Sequence, residues 1–225
     1  MRRWVFLLTF GLIGAAILIG LGTWQLQRLD WKQGVLADID SRITASPVAV
    51  PATPDPATDK YLSVQAQGTI LPGEAHVLVS IKDVGPGYRI IAPYELADGR
   101  RILLDRGFVR DAAKNNTRTT GPISVTGNLH WPDEVDSYTP APDLAGNTWF
   151  ARDVPALAQV LGTDPVLLIA RTISEPNPSV TPLPVDSAGI PNDHLQYAIT
   201  WFSLAAIWLA MTFFFMRSMR SKPES

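Results

Sequence analysis

The chain has 225 residues, 46% of them hydrophobic, a formal net charge of −2 and no cysteine. The length favours one main domain, and the near-neutral charge gives no reason to expect nucleic acid as a partner. The lack of cysteine excludes disulfides, thiolate metal sites, cysteine nucleophiles and covalent c-type haem attachment, and it suits an oxidising compartment.

Two segments are long and apolar enough to cross a membrane. Trp4 to Gln27 and Leu195 to Met216 carry no charged residue, and at about 1.5 Å per residue each helix would span the roughly 30 Å of hydrocarbon. A cleaved signal peptide is the alternative for the first segment, because Arg2 and Arg3 precede it. Its apolar run is longer than the about 7–15 residues of a signal sequence, so we predict an uncleaved helix.

The orientation of the two segments follows from their flanking cations. Five cations lie on the terminal sides: Arg2, Arg3, Arg217, Arg220 and Lys222. Three more follow the first segment and make the asymmetry moderate: Arg28, Lys32 and Arg42. The excess on the terminal sides predicts that both termini are cytoplasmic. The predicted order is a transmembrane helix over residues 4–27, a periplasmic domain over 45–193, a second transmembrane helix over 194–216 and a cytoplasmic tail over 217–225.

The residues between the two segments predict a folded, β-rich domain. Apolar residues continue at helical spacing from Leu29 to Ile43, so the first helix should extend to about residue 44. The proline-rich segment from Ser46 to Lys60 favours an extended connector. Short β-type runs separated by turn residues follow: "YLSVQAQGTI", "AHVLVSIK", "YRIIAPYEL", "RILLDRGFV", "ISVTGNLHW" and "PVLLIART". One short helix fits "DVPALAQVLG", with Asp153 as its N-cap and Pro155 in its first turn.

These elements predict a membrane α+β fold. Two transmembrane helices would form a hairpin around a β-rich domain, which would be an antiparallel sheet or a small barrel with one helix packed on it. The "ADGR" segment, with Asp98-Gly99 in the turn, predicts a hairpin between two of the strands.

The sequence shows no motif of catalysis. It has no G-x-S-x-G elbow, no P-loop, no G-x-G-x-x-G and no H-E-x-x-H. The pattern around His76 predicts a strand position facing solvent or a partner strand, and His130, beside Trp131, is predicted to serve in packing. We therefore expect that the protein is not an enzyme.

His194 differs from the other histidines because it stands at the start of the second apolar segment. His194, Tyr197 and Trp201 are three and four residues apart and share a helix face, and Asn192 or Asp193 could cap that helix. In a hairpin, residues 24–28 lie at similar depth. An imidazole, aromatic rings and an arginine could hold a flat, carboxylate-bearing ligand such as haem. The alternative is an ordinary interfacial belt of aromatic residues with a hydrogen-bonded histidine.

Four stretches of the chain resemble the successive motifs of the Surfeit locus protein 1 family: "LGTWQLQRLDWK", "GPGYRIIAPYEL", "ILLDRGFV" and "NDHLQYAITWFSLA". The resemblance runs from Leu21 to Leu204 in the family's order, and Phe108 stands where the family commonly has tryptophan. It implies an assembly factor for haem-copper cytochrome c oxidase, which binds haem a as cargo and aids its insertion into the largest oxidase subunit. We expect a bacterial inner membrane, because Met1-Arg2-Arg3 leaves no room for a mitochondrial presequence before the first segment. Haem a synthase is a further expected partner. A scaffold that stabilises an oxidase intermediate without holding cofactor is the alternative.

The resemblance also assigns roles to individual residues. It implies that His194 is an axial ligand of the haem iron, on a face with Tyr197 and Trp201. Trp24 is then expected to face the second helix, and Arg28 to pair a haem propionate through its bidentate guanidinium. The alternative for Arg28 and Lys32 is contact with lipid headgroups.

A docking surface is expected in the external domain. The "VGPGYRI" segment supplies a glycine-rich turn beside Tyr88, and "LLDRGFV" places Asp105 and Arg106 near it. Gly87, Tyr88 and Arg106 are the candidate docking residues. The alternative is a local turn and an ordinary surface ion pair between Asp105 and Arg106, which contributes about 0–1 kcal/mol.

The predicted topology is tested by reporter fusions near Gly121. Because this residue lies in the domain expected outside the cytoplasm, a reporter that works only in the periplasm should be active there. A cytoplasmic-only reporter fused at the same residue should be inactive, and its activity would overturn the hairpin orientation.

Overall fold

The computed structural model describes residues 2–175 and 179–220, with side chains from residue 4 to residue 219 within those ranges. The chain forms two compact units. One is Met1–Asp38 with Ser187–Ser225, and the other is Ile39–Asp186. The helices are α1 (Arg2–Thr44), α2 (Val154–Leu161) and α3 (His194–Arg220), with a short 3-10 helix at Asp111–Ala113. The strands are β1 (Val48–Ala49), β2 (Ser63–Ile70), β3 (Ala75–Ile81), β4 (Gly85–Leu96), β5 (Arg101–Arg110), β6 (Gly121–His130) and β7 (Leu167–Ile173).

Both terminal helices have the length and composition of membrane spans. The apolar stretches Trp4–Thr44 and His194–Met219 pass that test, and most of their side chains are exposed. A core helix of a soluble protein would instead be largely buried. Helix α1 is continuous to Thr44, so the apolar pattern over residues 29–43 belongs to it. The α+β composition with an apolar helix at each end is as predicted.

The seven strands form one mixed sheet, in the order β1-β2-β6-β7-β5-β4-β3. The expectation of a purely antiparallel sheet was wrong, because β1 pairs with β2 and β5 pairs with β7 in parallel. Strand β7 enters the sheet after α2 and lies between β5 and β6. Because β5 and β6 run in opposite directions, β7 is antiparallel to β6 and parallel to β5. The sequence pattern shows each strand but not the strand beside which it will lie.

A second pairing of β4 closes the sheet into a ring of five strands. One edge of β4 pairs with β3 up to Ile91 and then with β2 from Tyr94 to Leu96. Pro93 lies where β4 changes its partner strand from β3 to β2. Proline has no backbone N–H, and at this position no hydrogen bond between strands is lost. Gly68 allows the close approach of β2 to β4, because a Cβ there would meet the carbonyl of Glu95. Of the two expected forms of the sheet, the structure has the small barrel.

Alternating side chains fill the barrel and its outer face. Residues at even positions of β4, β5 and β7 point into the barrel, among them Tyr94, Leu104 and Leu168. Those at odd positions, such as Leu103 and Leu167, pack against the apolar face of α2. Because both faces of β5 and β7 are covered, these strands are continuous apolar runs. Helix α2 begins as predicted, with the carboxylate of Asp153 accepting a hydrogen bond from Ala156 N (3.0 Å).

Two β-bulges each carry an arginine. In the β4–β5 ladder, Ile90 pairs with Gly107 and Ile91 with Asp105, so Arg106 is the extra residue. In the β6–β7 ladder, Arg171 is the extra residue between Ala170 and Thr172. A bulge inserts one extra residue and shifts the alternation of the side chains beyond it. Gly107 permits the first bulge with a φ of 123°, and its N–H donates to the Asp105 carboxylate.

The two bulge arginines meet different partners. The guanidinium of Arg106 pairs with the Glu175 carboxylate at 2.8 Å, and both side chains are almost fully buried. That of Arg171 donates to the carbonyl of Ile43 and to Asn128 Oδ1 (2.8 Å), and Asn128 Nδ2 donates to the same carbonyl (3.1 Å). The last carbonyls of a helix have no partner within the helix. Arg171 and Asn128 therefore cap the C-terminal turn of α1.

The expected surface ion pair between Asp105 and Arg106 is wrong. Asp105 is fully buried and pairs with Arg89, whose Nε lies 2.6 Å from the carboxylate. Arg106 pairs with Glu175, on the segment after β7. Because neighbouring residues on a strand point to opposite faces, Asp105 and Arg106 belong to two separate networks.

The buried pair makes a stability prediction. Replacing Arg106 with alanine leaves the Glu175 carboxylate buried without its counter-charge, so the free energy of unfolding should fall by about 3–5 kcal/mol. Arg101→Ala, on the same strand but 54% exposed at its side chain, is the matched control and should cost at most about 1 kcal/mol. Urea unfolding of the detergent-solubilised full chain, followed by near-UV circular dichroism, measures both. Equal losses would contradict the structural role given to Arg106.

Candidate functional site

Helices α1 and α3 contact each other through small residues on α1. A Cβ at Gly11, Gly14 or Gly22 would meet a side chain of α3, and the indole N–H of Trp208 donates to the carbonyl of Gly11 (3.0 Å). Small residues let apolar helices approach closely, and a polar group then finds its partner across the interface. Buried and half-buried positions on α3 recur every three or four residues, at His194, Ala198, Trp201, Ala205, Trp208 and Thr212.

His194 is the first residue of that face and is tied to α1 by a side-chain hydrogen bond. Its Nδ1 lies 2.8 Å from Oε1 of Gln25. An amide oxygen only accepts, so this bond needs the proton on Nδ1 and leaves Nε2 as the lone-pair nitrogen of the neutral ring. Nε2 makes no hydrogen bond to any residue that the structure describes. The imidazole is therefore oriented by a second group, with one nitrogen available as a donor to a metal.

The aromatic residues predicted around His194 divide between two surfaces. Trp201 is half-buried on the face toward α1, with His194. Tyr197 is 54% exposed and is therefore not buried against α1, although its spacing suggested that it shares the face of His194. Trp24 is 51% exposed, and Gln25 beside it makes the bond to α3. The expectation that Trp24 faces the second helix was therefore wrong, because one residue along a helix is a turn of about 100°.

Arg28 lies on the exposed surface of α1, one turn beyond Gln25. Its guanidinium stacks on the ring of Trp31, with 4.4 Å from Cζ to the ring centroid. It makes no ion pair with any described residue, so its charge is available to an external anion. Both a ligand carboxylate and a lipid headgroup remain compatible with this position.

Asn192 adds an unsatisfied polar atom two residues before His194. Its Oδ1 is buried and has no hydrogen-bond partner, so the side chain does not cap α3. The backbone carbonyl of Asp193 instead accepts from Tyr197 N (3.1 Å). A buried acceptor without a partner is unusual and marks a place where a ligand donor would be stabilised.

The other two histidines lie within the barrel unit. His76 is buried, its Nε2 lies 2.8 Å from Glu74 Oε1, and its ring lies 6.1 Å from that of Tyr88 on the paired strand β4, so of its two expected environments it has the partner strand. Burial raises the pKa of Glu74, but the hydrogen bond from His76 and the charge of Arg118 outweigh it and hold that pKa below its usual value. Burial, reinforced by the charge of Arg152, lowers the pKa of His130 to about 4. The ring of His130 packs on Tyr61, at 5.1 Å between centroids, as its packing role requires.

The residues predicted to form a docking surface are buried. Arg106 is 1% and Tyr88 8% exposed, and a Cβ at Gly87 would meet the ring of Phe108 and the carbonyl of Val109. These three residues are structural. The glycine-rich turn signalled a close backbone approach and not a contact surface.

Sequence reasoning missed Gln25 and the unsatisfied Asn192. A signal for the first was present, because a glutamine within an apolar helix is costly unless it finds a hydrogen-bond partner. The sequence did not show which of the two glutamines, Gln25 or Gln27, faces the other helix.

Comparison with known proteins decides the family. The SURF1 family model matches residues 12–206, a span that includes both Gln25 and His194. The chain belongs to the SURF1 family. A SURF1-like protein of Rickettsia bellii is 31% identical over 221 residues, covering 94% of this chain and 91% of that protein.

Relatives of the SURF1 family also occur in eukaryotes. A SURF1-like protein of Monosiga brevicollis is 33% identical over 221 residues, covering 89% of this chain and 84% of that protein. Surfeit locus protein 1 of Mus musculus is 29% identical over 226 residues, covering 89% and 72%. The similarity therefore extends over both apolar helices and the barrel, and the resemblance inferred from the four sequence motifs is confirmed.

Proposed function

We propose that this SURF1 family member is an assembly factor for haem-copper cytochrome c oxidase, which holds haem a and passes it to the largest oxidase subunit. The role follows from the family resemblance, and the observation that carries it to particular residues is the His194–Gln25 bond. Haem a synthase is proposed as a further partner, from which the cargo would come. The protein would sit in a bacterial inner membrane, with both termini cytoplasmic and the barrel periplasmic.

The residues around His194 fit a haem. An imidazole whose Nδ1 is held by a hydrogen bond presents Nε2 to iron, which is the usual arrangement of a histidine ligand. No cluster of three or more His, Asp or Glu that could hold a metal ion occurs in the described part of the chain. A haem needs no such cluster, because the macrocycle supplies four of the iron's ligands.

The remaining residues have supporting roles in this proposal. Trp201 would contact the macrocycle beside His194, and Tyr197 would contact its periphery. Arg28 would neutralise a propionate, as its exposed and unpaired guanidinium allows. Trp24 and Trp31 are both exposed, and they would anchor α1 among the lipid headgroups. The chain's part is to bind, orient and release the haem without chemistry of its own.

The ligand role of His194 predicts a spectral change. His194→Ala removes the only imidazole on the membrane helices and leaves a helix-compatible residue, so the protein should still accumulate. The visible haem spectrum of protein purified from cells that make haem a should be lost or strongly shifted. His76→Gln and His130→Gln are the matched controls and should leave it unchanged.

An unaltered spectrum in the His194 variant would overturn the assignment. Loss of haem in the His130 variant would move the site into the barrel unit. Wild-type protein purified without haem from such cells would favour a scaffold that stabilises an oxidase intermediate without cofactor.

The orienting bond predicts a smaller effect of Gln25. Replacing Gln25 with leucine keeps the size and apolar character of the helix surface but removes the acceptor for His194 Nδ1. Haem affinity should fall by about 10–100-fold, as for other groups that orient a metal ligand. Titration of haem into the purified protein measures it, with Gln27→Leu as the control, since Gln27 lies on the exposed surface of α1. Equal affinities of the two variants would show that the bond has no orienting role.

A further inference from the structure

The loop between β6 and α2, residues 131–153, presents apolar side chains to the exterior. Tyr138 is 90% exposed, Leu144 60%, Val135 52% and Phe150 42%. Exposed apolar residues are ordinary when single, but several on one loop indicate a contact surface. Tyrosine in particular is enriched in the energetically important centres of protein interfaces.

Local hydrogen bonds hold Tyr138 in its exposed position. The Asp136 carboxylate accepts from Tyr138 N (2.8 Å) and from Thr139 Oγ1 (3.0 Å). Thr139 Oγ1 in turn accepts from Asp136 N (2.9 Å). These bonds form an Asx-type turn that fixes the backbone before any partner arrives. A preformed turn lowers the ordering cost of binding.

An apolar cleft lies beside this turn. It has a volume of about 160 Å³, and most of its lining is apolar, with two polar residues, Thr139 and Asp153: the apolar ones are Val135, Pro140, Ala141, Pro142, Trp149, Phe150, Ala151 and Ala156. A cavity of about 150 Å³ with apolar walls is large enough to hold benzene. The cleft therefore has room for one side chain of the size of leucine or phenylalanine.

The charges around the cleft are acidic. Residues 131–151 contain Asp133, Glu134, Asp136 and Asp143 and no Lys or Arg. Arg152 forms an ion pair with Glu134, whose side chain is 36% exposed. The other three carboxylates make no ion pair with any described residue. The nearest lysine contact is at the far end of the loop, where Lys114 Nζ donates to the carbonyl of Gly146 (2.9 Å).

We propose that this loop is a docking surface for a protein segment that carries a leucine- or phenylalanine-sized side chain flanked by Lys or Arg. The apolar side chain enters the cleft and contacts Tyr138, and the flanking cations face Asp133, Asp136 and Asp143. Complementary charge selects the partner and speeds its association. An anionic lipid surface carries the same sign of charge as the loop and would be repelled.

This docking surface is distinct from the His194 site in its residues, so the two proposals fail separately. A His194→Ala protein should lose haem and keep docking. A variant in the loop should lose docking and keep its haem spectrum.

Photocrosslinking of the full chain in its own cells tests the proposal. The photoreactive residue p-benzoylphenylalanine replaces Tyr138, and in the control it replaces Val48, an exposed residue of β1. Mass spectrometry identifies the crosslinked segment. We expect the Tyr138 site to capture one segment with at least two Lys or Arg beside an apolar residue, at a higher yield than the Val48 site.

Charge reversal then separates recognition from chance proximity. Asp133 is exposed and makes no hydrogen bond to any residue that the structure describes, so Asp133→Lys should not disturb the turn. It should lower the crosslinking yield about tenfold, at the low end of the effect of electrostatic steering. Replacing a captured Lys or Arg with Glu should restore the yield.

Four outcomes would overturn the proposal: capture of a neutral or acidic segment, of lipid or of a second copy of this chain, and a yield no higher than at Val48. An Asp133→Lys yield equal to that of the wild type would overturn it as well.

Discussion

The barrel unit depends on how the unpaired carbonyl groups at the end of α1 find hydrogen-bond donors. A helix of this length ends with carbonyls that have no partner within the helix, and here the carbonyl of Ile43 accepts from both Arg171 and Asn128. Asn128 also donates to the carbonyl of Tyr61 (3.0 Å), which leads into β2. One amide and one guanidinium thus join the end of a helix, the start of one strand and the middle of two others. Arg171 is the extra residue of the β-bulge in β7.

A second bulge, in the β4–β5 ladder, carries Arg106. There the extra residue of the bulge in β5 is also an arginine, and its buried side chain pairs with Glu175. Buried ion pairs add little net stability compared with an apolar core, but they make other arrangements of the chain costly, because any of these would leave a charge unpaired. In this domain the buried pairs therefore disfavour alternative structures. Asp105 and Arg89 add a second buried pair that reaches the carbonyl of Leu183 (2.7 Å).

The two candidate surfaces use different physical effects. At the apolar helices one acceptor across the interface decides which nitrogen of a single imidazole keeps its lone pair, because His194 Nδ1 is bonded to Gln25. In the β6–α2 loop no single residue is decisive. A fixed turn, an apolar cleft and unpaired carboxylates together match one kind of partner.

The sequence by itself determined the apolar helices, the strands and the family. Hydrophobic runs of about 20 residues without charge and short runs between turn residues are local patterns, and Asp153, Pro155 and Gly162 delimit α2 by local backbone chemistry. Only the tertiary structure decided the parallel β5–β7 pair, the closure through Gly68 and the separate partners of Asp105 and Arg106. It also decided that Gln25, and not Trp24, meets His194. These outcomes depend on which residues far apart in the chain become neighbours, and an extra residue in a bulge changes the side to which a side chain points. Periodicity in a single sequence records neither.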